Sequence, residues 1–569
     1  MTSGSTGQPG HKWENWAGNV IANPAYYFTP NDLDDLISIV KQANAQTPKR
    51  KIRVVGSSHS WSPLAQTDGY MVDLVNFHSI SVDPASRLVT VGAGAEMAFV
   101  EAALKDNGLA IPANAVTLMP RIGGLVAAGC HGSGYNFSII SDYVQSVSMV
   151  LASGETHTFA AEELGDDSDL MNAVRLNLGT FGIMYEIVLK AVPTFKVHCV
   201  DSTPDMTQTI DTIQDLVTKN DYVEIFWFPF HLPKNMRAAR NKEVWLNQEI
   251  WLKQWNITDE ALTADLPKDY WGRIETSDFS ASEAHEAFKT AASQMDVITP
   301  LKEYFLSQQP AKPEDGAAGS VDDPPRQSTA MSEMLLCLGR CALENEQNAD
   351  QFMECAESCL KEGGENLIGA DVWSFMADHP RLTPLLLSLL WHLVPDHDDY
   401  IALVNDTMHF RNFFPKVALM AMAIPIDPNF ENVKAAWNQT VLAVEQAASQ
   451  GQYPLNVNIE ARFVKNSNCL ISPINGSDHF CIIEVISYIT TPTFNDFYAI
   501  IGQEWLKLGL NGSTPRPHWP KQFDAIPNIN QSIRQAYGGN LTRFLQIRDG
   551  LDPDRLFVNR FLEGVFYGD

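Results

Sequence analysis

Ile52-Arg53-Val54-Val55-Gly56-Ser57-Ser58-His59-Ser60 is the stretch that decides how this chain is read. An apolar strand that stops at a run of small residues turns its backbone N–H groups outward, and a nest of such donors holds phosphate. His59 stands on the rim of that turn, beside whatever is bound there. Alone, the turn reads as a surface loop with an exposed histidine. Its neighbours change the reading. Val89-Thr90-Val91-Gly92-Ala93-Gly94 is a second short strand ending in small residues. Ile122-Gly123-Gly124, continuing to Gly129-Cys130-His131-Gly132-Ser133-Gly134, is a third such run, and Leu178-Gly179-Thr180-Phe181-Gly182-Ile183 a fourth. Glycine-rich approaches repeated within one domain predict a large, flat, polyanionic ligand lying against bare backbone. No GK[ST] ending makes a P-loop, and Gly92-Ala93-Gly94 lacks the third glycine of a dinucleotide fingerprint.

Further motifs follow in a fixed order. Trp13-Glu14-Asn15-Trp16 with Gly18-Asn19 opens the chain, and the small-residue turn runs on to Thr67-Asp68-Gly69. Then come His131-Gly132-Ser133-Gly134, the run from Glu224 to Pro229, Pro517-His518-Trp519-Pro520-Lys521, and Leu551-Asp552-Pro553 through Phe557. In number and order these resemble the FAD-linked oxidases of the vanillyl-alcohol oxidase (PCMH-type) superfamily, and more narrowly the sugar-1,4-lactone and alditol oxidase family. The resemblance spans almost the whole chain. Ser58 departs from it, standing where the family usually has a second glycine. It implies an α+β fold, with a two-part PCMH-type FAD-binding domain and an α+β cap (substrate) domain on an antiparallel sheet. A helical, cysteine-containing insertion is a departure from the family.

The 569 residues, 45% hydrophobic and 10% aromatic, suffice for more than one domain with an ample core. The formal charge of −28 argues against nucleic acid or an anionic membrane as partner. The strongly apolar run Leu382–Val394 is too short to span a bilayer. Met1–Gly10 lacks the apolar centre of a signal peptide, which favours a soluble, cytoplasmic protein. Thr29-Pro30-Asn31-Asp32 before Leu33, Leu36, Ile37 and Val40 predicts a helix start. Residues 1–12 read as a flexible lead, 13–193 as the FAD-binding domain, 194–500 as the substrate domain and 501–569 as a segment returning to the first.

Within the second domain, Gln308–Met331 reads as a mobile linker, and helical sequence over about 332–400 follows. Cys337 and Cys341 are four apart, as are Cys355 and Cys359, so each pair shares one helical face. Three readings stay open: two disulfides, a four-thiolate zinc site, or four buried thiols. Cys469 and Cys481 flank a strand–loop–strand connection in which they too could pair.

Oxidation of an alcohol by flavin needs a proton removed from the hydroxyl, a hydride delivered to N5, and charge stabilised on the reduced ring. Glu460 and Arg462, two apart in a segment of strand character, project from one sheet face. Such a pair is more often a surface ion pair, but the family's active-site Glu-x-Arg matches these positions. It implies that Glu460 binds and polarises substrate and that Arg462 stabilises an oxyanion or the reduced flavin. The resemblance likewise places Lys521 at the flavin pyrimidine edge, where an ammonium favours anionic flavin. His518 would orient a hydroxyl, act as base, or simply pack beside Trp519. Glu484, an acid in an otherwise apolar strand, faces either the site or solvent.

His59 matches the family's covalent attachment point to the FAD 8α-methyl. Around it, the resemblance implies cofactor contacts from Gly56, Ser57, Ser58 and Ser60, from Gly123 and Gly124, and from Gly129, His131, Gly132, Ser133, Gly134 and Ile183. Leu118-Met119-Pro120-Arg121 holds no cysteine for a second tether, and Cys130 reads as a small packing residue. Ala115 matches a position beside the oxygen-reactive edge, where alanine occurs in oxidases and dehydrogenases alike. No metal is assigned. The expectation is hydride transfer from a sugar lactone, alditol or related polyol, with O2 as acceptor giving H2O2. A dehydrogenase with a cytochrome or quinone acceptor is the alternative. A non-catalytic flavoprotein module is the second.

Overall fold

The computed structural model describes residues 7–112, 115–230, 248–267, 280–294, 296–309, 330–364, 372–394, 397–409 and 415–568. Tyr26–Phe28 (β1), Ile52–Val55 (β2) and Tyr70–Asp73 (β3) pair in parallel in the order β1-β3-β2. The crossover from β1 to β2 is the helix Leu33–Asn44 (α1), whose N-cap Asp32 accepts the Asp35 N–H. Leu36, Ile39, Val40 and Ala43, at helical spacing, lie wholly in the core.

A second, antiparallel sheet uses Ile80–Asp83 (β4), Leu88–Gly92 (β5), Val144–Leu151 (β6), Thr156–Ala160 (β7) and Gly182–Lys190 (β8), ordered β7-β6-β8-β5-β4. It meets the parallel sheet where a Cβ on Gly94 would lie 1.8 Å from the Leu74 carbonyl oxygen, an approach only glycine permits. The short helix Ile122–Ala127 (α2) follows.

From Lys196 the chain builds the other domain. Its eight strands are Lys196–Ser202 (β9), Tyr222–Trp227 (β10), Trp251–Thr258 (β11), His397–Leu403 (β12), Val417–Pro425 (β13), Ile459–Lys465 (β14), His479–Tyr488 (β15) and Arg516–Pro517 (β16). They run antiparallel in the order β12-β9-β11-β10-β14-β15-β13-β16. Every residue of β13, an unbroken apolar run, is buried, because both sheet faces are covered. The architecture is thus α+β, with an FAD-type sheet region and a separate substrate-domain sheet. The apolar run ending at Val394 is partly the fully buried helix Thr383–Trp391, and among the described residues no helix is long and apolar enough to cross a membrane.

Ala330–Glu344 (α3) and Ala349–Gly363 (α4) form the cysteine hairpin. Disulfides Cys337–Cys359 and Cys341–Cys355 join them, leaving no thiolate for zinc and none of the four reduced. Cys469 and Cys481 do not pair. Cys481 is locked in register opposite Phe463, whereas the Cys469 thiol turns to Asp142, 3.7 Å away. Most of the expected linker, residues 310–329, lies outside the described residues, as do residues 1–6; Gln8 exchanges two backbone hydrogen bonds with Tyr27.

The chain then turns back through Ile529–Leu551 (α5) and Arg560–Tyr567 (α6). The Ile52 N–H donates to the Leu556 carbonyl at 2.8 Å, and the Asn559 amide donates to the carbonyls of Pro63, Leu64 and Gln66. The buried Arg53 guanidinium spends itself on four carbonyls, those of Leu64, Leu178, Gly179 and Phe557. That knot fixes β2, and so the turn beyond it.

Candidate active site

The turn after β2 opens into a cleft of about 220 Å³ walled by both domains. Gly56, Ser57, Ser58, His59 and Ser60 line one side. Ser58 holds φ +60° where the family's glycine would sit, so the left-handed turn survives without it. On the floor two adjacent glycines do different work. A Cβ on Gly123 would press on the Ala93 carbonyl at 2.9 Å, whereas one on Gly124 would meet nothing within 4 Å. Gly123 is needed for packing; Gly124 leaves room for a ligand. With a donor-rich turn at one end and a bare backbone floor, the residues fit FAD.

The His59 imidazole stacks on Trp16, 4.6 Å between centroids. Burial, helped by the Lys521 charge, pushes its pKa down to about 4, so it is neutral at ordinary pH. The Lys521 ammonium lies over Trp61, 4.5 Å from the ring centroid. Cys130, also on the cleft wall, has its thiol pushed up to about 11 by burial and is an inert packing group.

The opposite wall comes from the large sheet. Register places Glu224 directly opposite Arg462, and Glu460 directly opposite Glu484, so all four side chains share one face. Each is 3% exposed. The Arg462 guanidinium donates to Glu460 and stands 3.3 Å from Glu224. The Lys521 ammonium is 3.8 Å from Glu484, and the His131 ring 3.6 Å from its other oxygen. Three carboxyls therefore draw on Arg462 and Lys521, with Lys253, directly opposite Glu224 on the next strand, adding its charge on that side. Burial, opposed by Arg462 and reinforced by Glu484 and Glu224, pushes Glu460 up to about 8. Burial also acts on Glu484, but Lys521, His131 and Arg462 outweigh it and hold that carboxyl well below the usual range. Burial raises Glu224 as well.

His518 is buried, and burial with the nearby His131 and Lys521 keeps its ring neutral. Its Nε2 is 3.2 Å from the Gly129 carbonyl, which only accepts, so the hydrogen sits on Nε2. Nδ1 is left as a lone pair with no partner among the described residues.

Of the residues singled out from sequence, Ala115, Gly123, Gly124, His131, Arg462, His518 and Lys521 join the turn on the cleft wall. Glu460 is not on that wall itself; its carboxyl accepts from Arg462, which is. Gly129, Gly132, Ser133, Gly134 and Ile183 also lie outside it: Ser133 donates to the Val223 carbonyl and the Gly134 N–H to Phe463, tying the loop to the second sheet. Glu484 faces the site, not solvent. Glu224 received no role from sequence, although a lone acid in the apolar Tyr-Val-Glu-Ile-Phe-Trp run was a usable signal.

Residues 24–160 match the model of an FAD binding domain, and residues 345–565 that of D-arabinono-1,4-lactone oxidase. The L-gulono-1,4-lactone dehydrogenase of Mycobacterium tuberculosis is 31% identical over 97% of this chain and 98% of its own. The L-gulonolactone oxidase of Scyliorhinus torazame is 23% identical over 99% of each. Among solved structures, cholesterol oxidase from Brevibacterium sterolicum superposes with a TM-score of 0.63 at 15% identity, covering 98% of this chain and 96% of that one; that likeness concerns the fold alone. Full-length similarity to lactone oxidoreductases, on a fold that sets an FAD-type domain against a charged sheet, makes this chain a PCMH-type FAD-linked oxidoreductase of the vanillyl-alcohol oxidase superfamily, related to the sugar-1,4-lactone and alditol oxidases.

Proposed function

We propose that this protein oxidises a hydroxyl carbon of a sugar lactone, alditol or related polyol, using FAD attached through His59, with O2 as acceptor and H2O2 as product. The observation that carries the reading is the buried Glu460–Arg462 pair beside Glu484 and Lys521, set on the sheet that walls the cleft. The flavin supplies the hydride acceptor at N5. The protein supplies the rest. Glu460, with a carboxyl poised near working pH but set off the cleft wall, takes the hydroxyl proton through one water, and Arg462, on the wall, stabilises the negative charge that develops on the substrate oxygen. Glu484 is a poor base because its neighbours hold it ionised; it orients hydroxyl hydrogens by accepting them. His518 offers a neutral Nδ1 as a further acceptor. Lys521 would offer the bound flavin a positive charge that favours an anionic reduced ring.

A dehydrogenase reading has its own support, since the 31%-identical relative bears that name. Anaerobic mixing with a panel of aldonolactones and alditols, followed by oxygen or a dye acceptor, tests both. Flavin bleached by a polyol and restored by oxygen supports the oxidase. Restoration by dye alone supports the dehydrogenase. Flavin that no member of the panel bleaches sinks both.

A further inference from the structure

The segment Trp13–Asn19 lies along the turn that carries His59 and binds it on both sides. The Trp16 N–H donates to the Ser58 carbonyl at 2.9 Å and the Trp13 indole to the Ser58 hydroxyl at 3.2 Å. The Asn15 and Asn19 amides donate to the carbonyls of Ser60 and Trp61, each at 2.9 Å. Between these anchors the Trp16 ring covers one face of the imidazole, with 27° between planes, and meets Trp61 edge-on at 6.2 Å.

His59 itself makes no hydrogen bond among the described residues: neither ring nitrogen has a protein partner there, and the ring is held by stacking on Trp16 and a tilted contact with Trp61. A structural histidine is normally fixed through its nitrogens. This one is fixed through its face, so both nitrogens stay available. A reactive group must also be oriented and kept from water, and a rigid indole does both.

We infer that Trp13–Asn19 is a clamp that aims His59 at the flavin 8α carbon, with Trp16 as the positioning residue for covalent attachment. The inference rests on the tether proposed above and is separable from the alcohol chemistry. In the attachment, one imidazole nitrogen forms a bond to the 8α carbon. That carbon loses a C–H proton and the imidazole its N–H proton. Two electrons enter the isoalloxazine and leave to dioxygen, which with the two protons becomes hydrogen peroxide. Neutral imidazole is the form the step needs, and burial beside Lys521 supplies it.

The test compares wild type, Trp16→Ala, Trp16→Phe and His59→Ala, each purified with FAD present. Covalent flavin is read as fluorescence of the band on an acid-soaked denaturing gel, and total flavin from the native absorbance. Wild type should be fluorescent, and His59→Ala dark with flavin still bound. Trp16→Ala should keep bound flavin but lose at least nine-tenths of the covalent signal, and Trp16→Phe should restore at least half. Trp16→Ala attaching flavin as completely as wild type would overturn the clamp. A Trp16→Ala protein that binds no flavin would also overturn it, making the indole part of the cleft wall. A dark wild-type band would remove the tether itself while leaving the alcohol oxidation to be measured separately.

Discussion

Glu460 and Glu484 are direct cross-strand neighbours on β14 and β15, yet their carboxyls are driven in opposite directions. The difference is geometric. Lys521 and His131 close on Glu484, whereas Glu460 shares Arg462 with Glu224 and has no cation to itself. Two acids of one type thereby part: Glu484 is held ionised, while Glu460 is pushed toward neutrality, which is what the proposed proton acceptor needs.

If Glu460 takes the hydroxyl proton, only its ionised form works. The rate of flavin reduction should then rise with pH and level off above about 8, with Arg462, Glu484 and Glu224 as the charges that set the midpoint. Glu460→Gln should slow reduction by about 10²–10⁴-fold and flatten the profile. Glu484→Gln should weaken substrate binding more than it slows reduction, and keep the slope. Anaerobic stopped-flow across pH decides; a slope that survives Glu460→Gln takes the proton-accepting role away from Glu460.

The same carboxyl links to stability. A folded-state pKa above the unfolded value means that the native chain holds the extra proton between about 4.3 and 8. Its contribution is complete below that window and is lost as pH rises through it. Glu460→Gln should therefore gain thermal stability relative to wild type as pH is raised from about 5 to 9, with little difference at the acid end. Parallel melting curves for the two proteins over that range check the sign.

Much of this was legible in the sequence, and the limits are physical. The small-residue turn, the Asp32-capped helix and the apolar strands are local signals, and they appear where spacing and propensity put them. Two facts were not local. Glu484 became part of the site only through its register against Glu460, and Glu224 through its register against Arg462. Nothing within either strand specifies its neighbour. The cysteine pairing likewise depended on how α3 and α4 fold back on each other, which two four-residue spacings leave open.

Gly94 and Gly124 should respond oppositely to substitution. A side chain at Gly94 collides with the Leu74 carbonyl, so Gly94→Ala should cost about 1–3 kcal/mol or more and lower the melting temperature with or without flavin. Gly124 faces open space in the cleft, so Gly124→Val should leave the flavin-free protein's melting temperature near wild type. Its loss should appear as FAD affinity weakened at least tenfold, measured by flavin fluorescence quenching. Unchanged affinity in Gly124→Val would move the cofactor off this floor.

Four of the eight cysteines lie in the two α3–α4 disulfides, and the other four are free. Thiol titration of the chain unfolded without reductant should therefore find four groups, and eight after reduction. Because both bonds close nested loops of 22 and 14 residues between the same two helices, the second adds less than the first. Replacing Cys341 and Cys355 together with serine should cost less than the about 2–4 kcal/mol of an isolated disulfide, and removing all four cysteines should cost more. The hairpin shares no residue with the cleft wall, so flavin content should be unchanged in both variants. Denaturant melts followed by intrinsic fluorescence give the first comparison and flavin absorbance the second; loss of flavin on cutting the hairpin would show that the cleft depends on it.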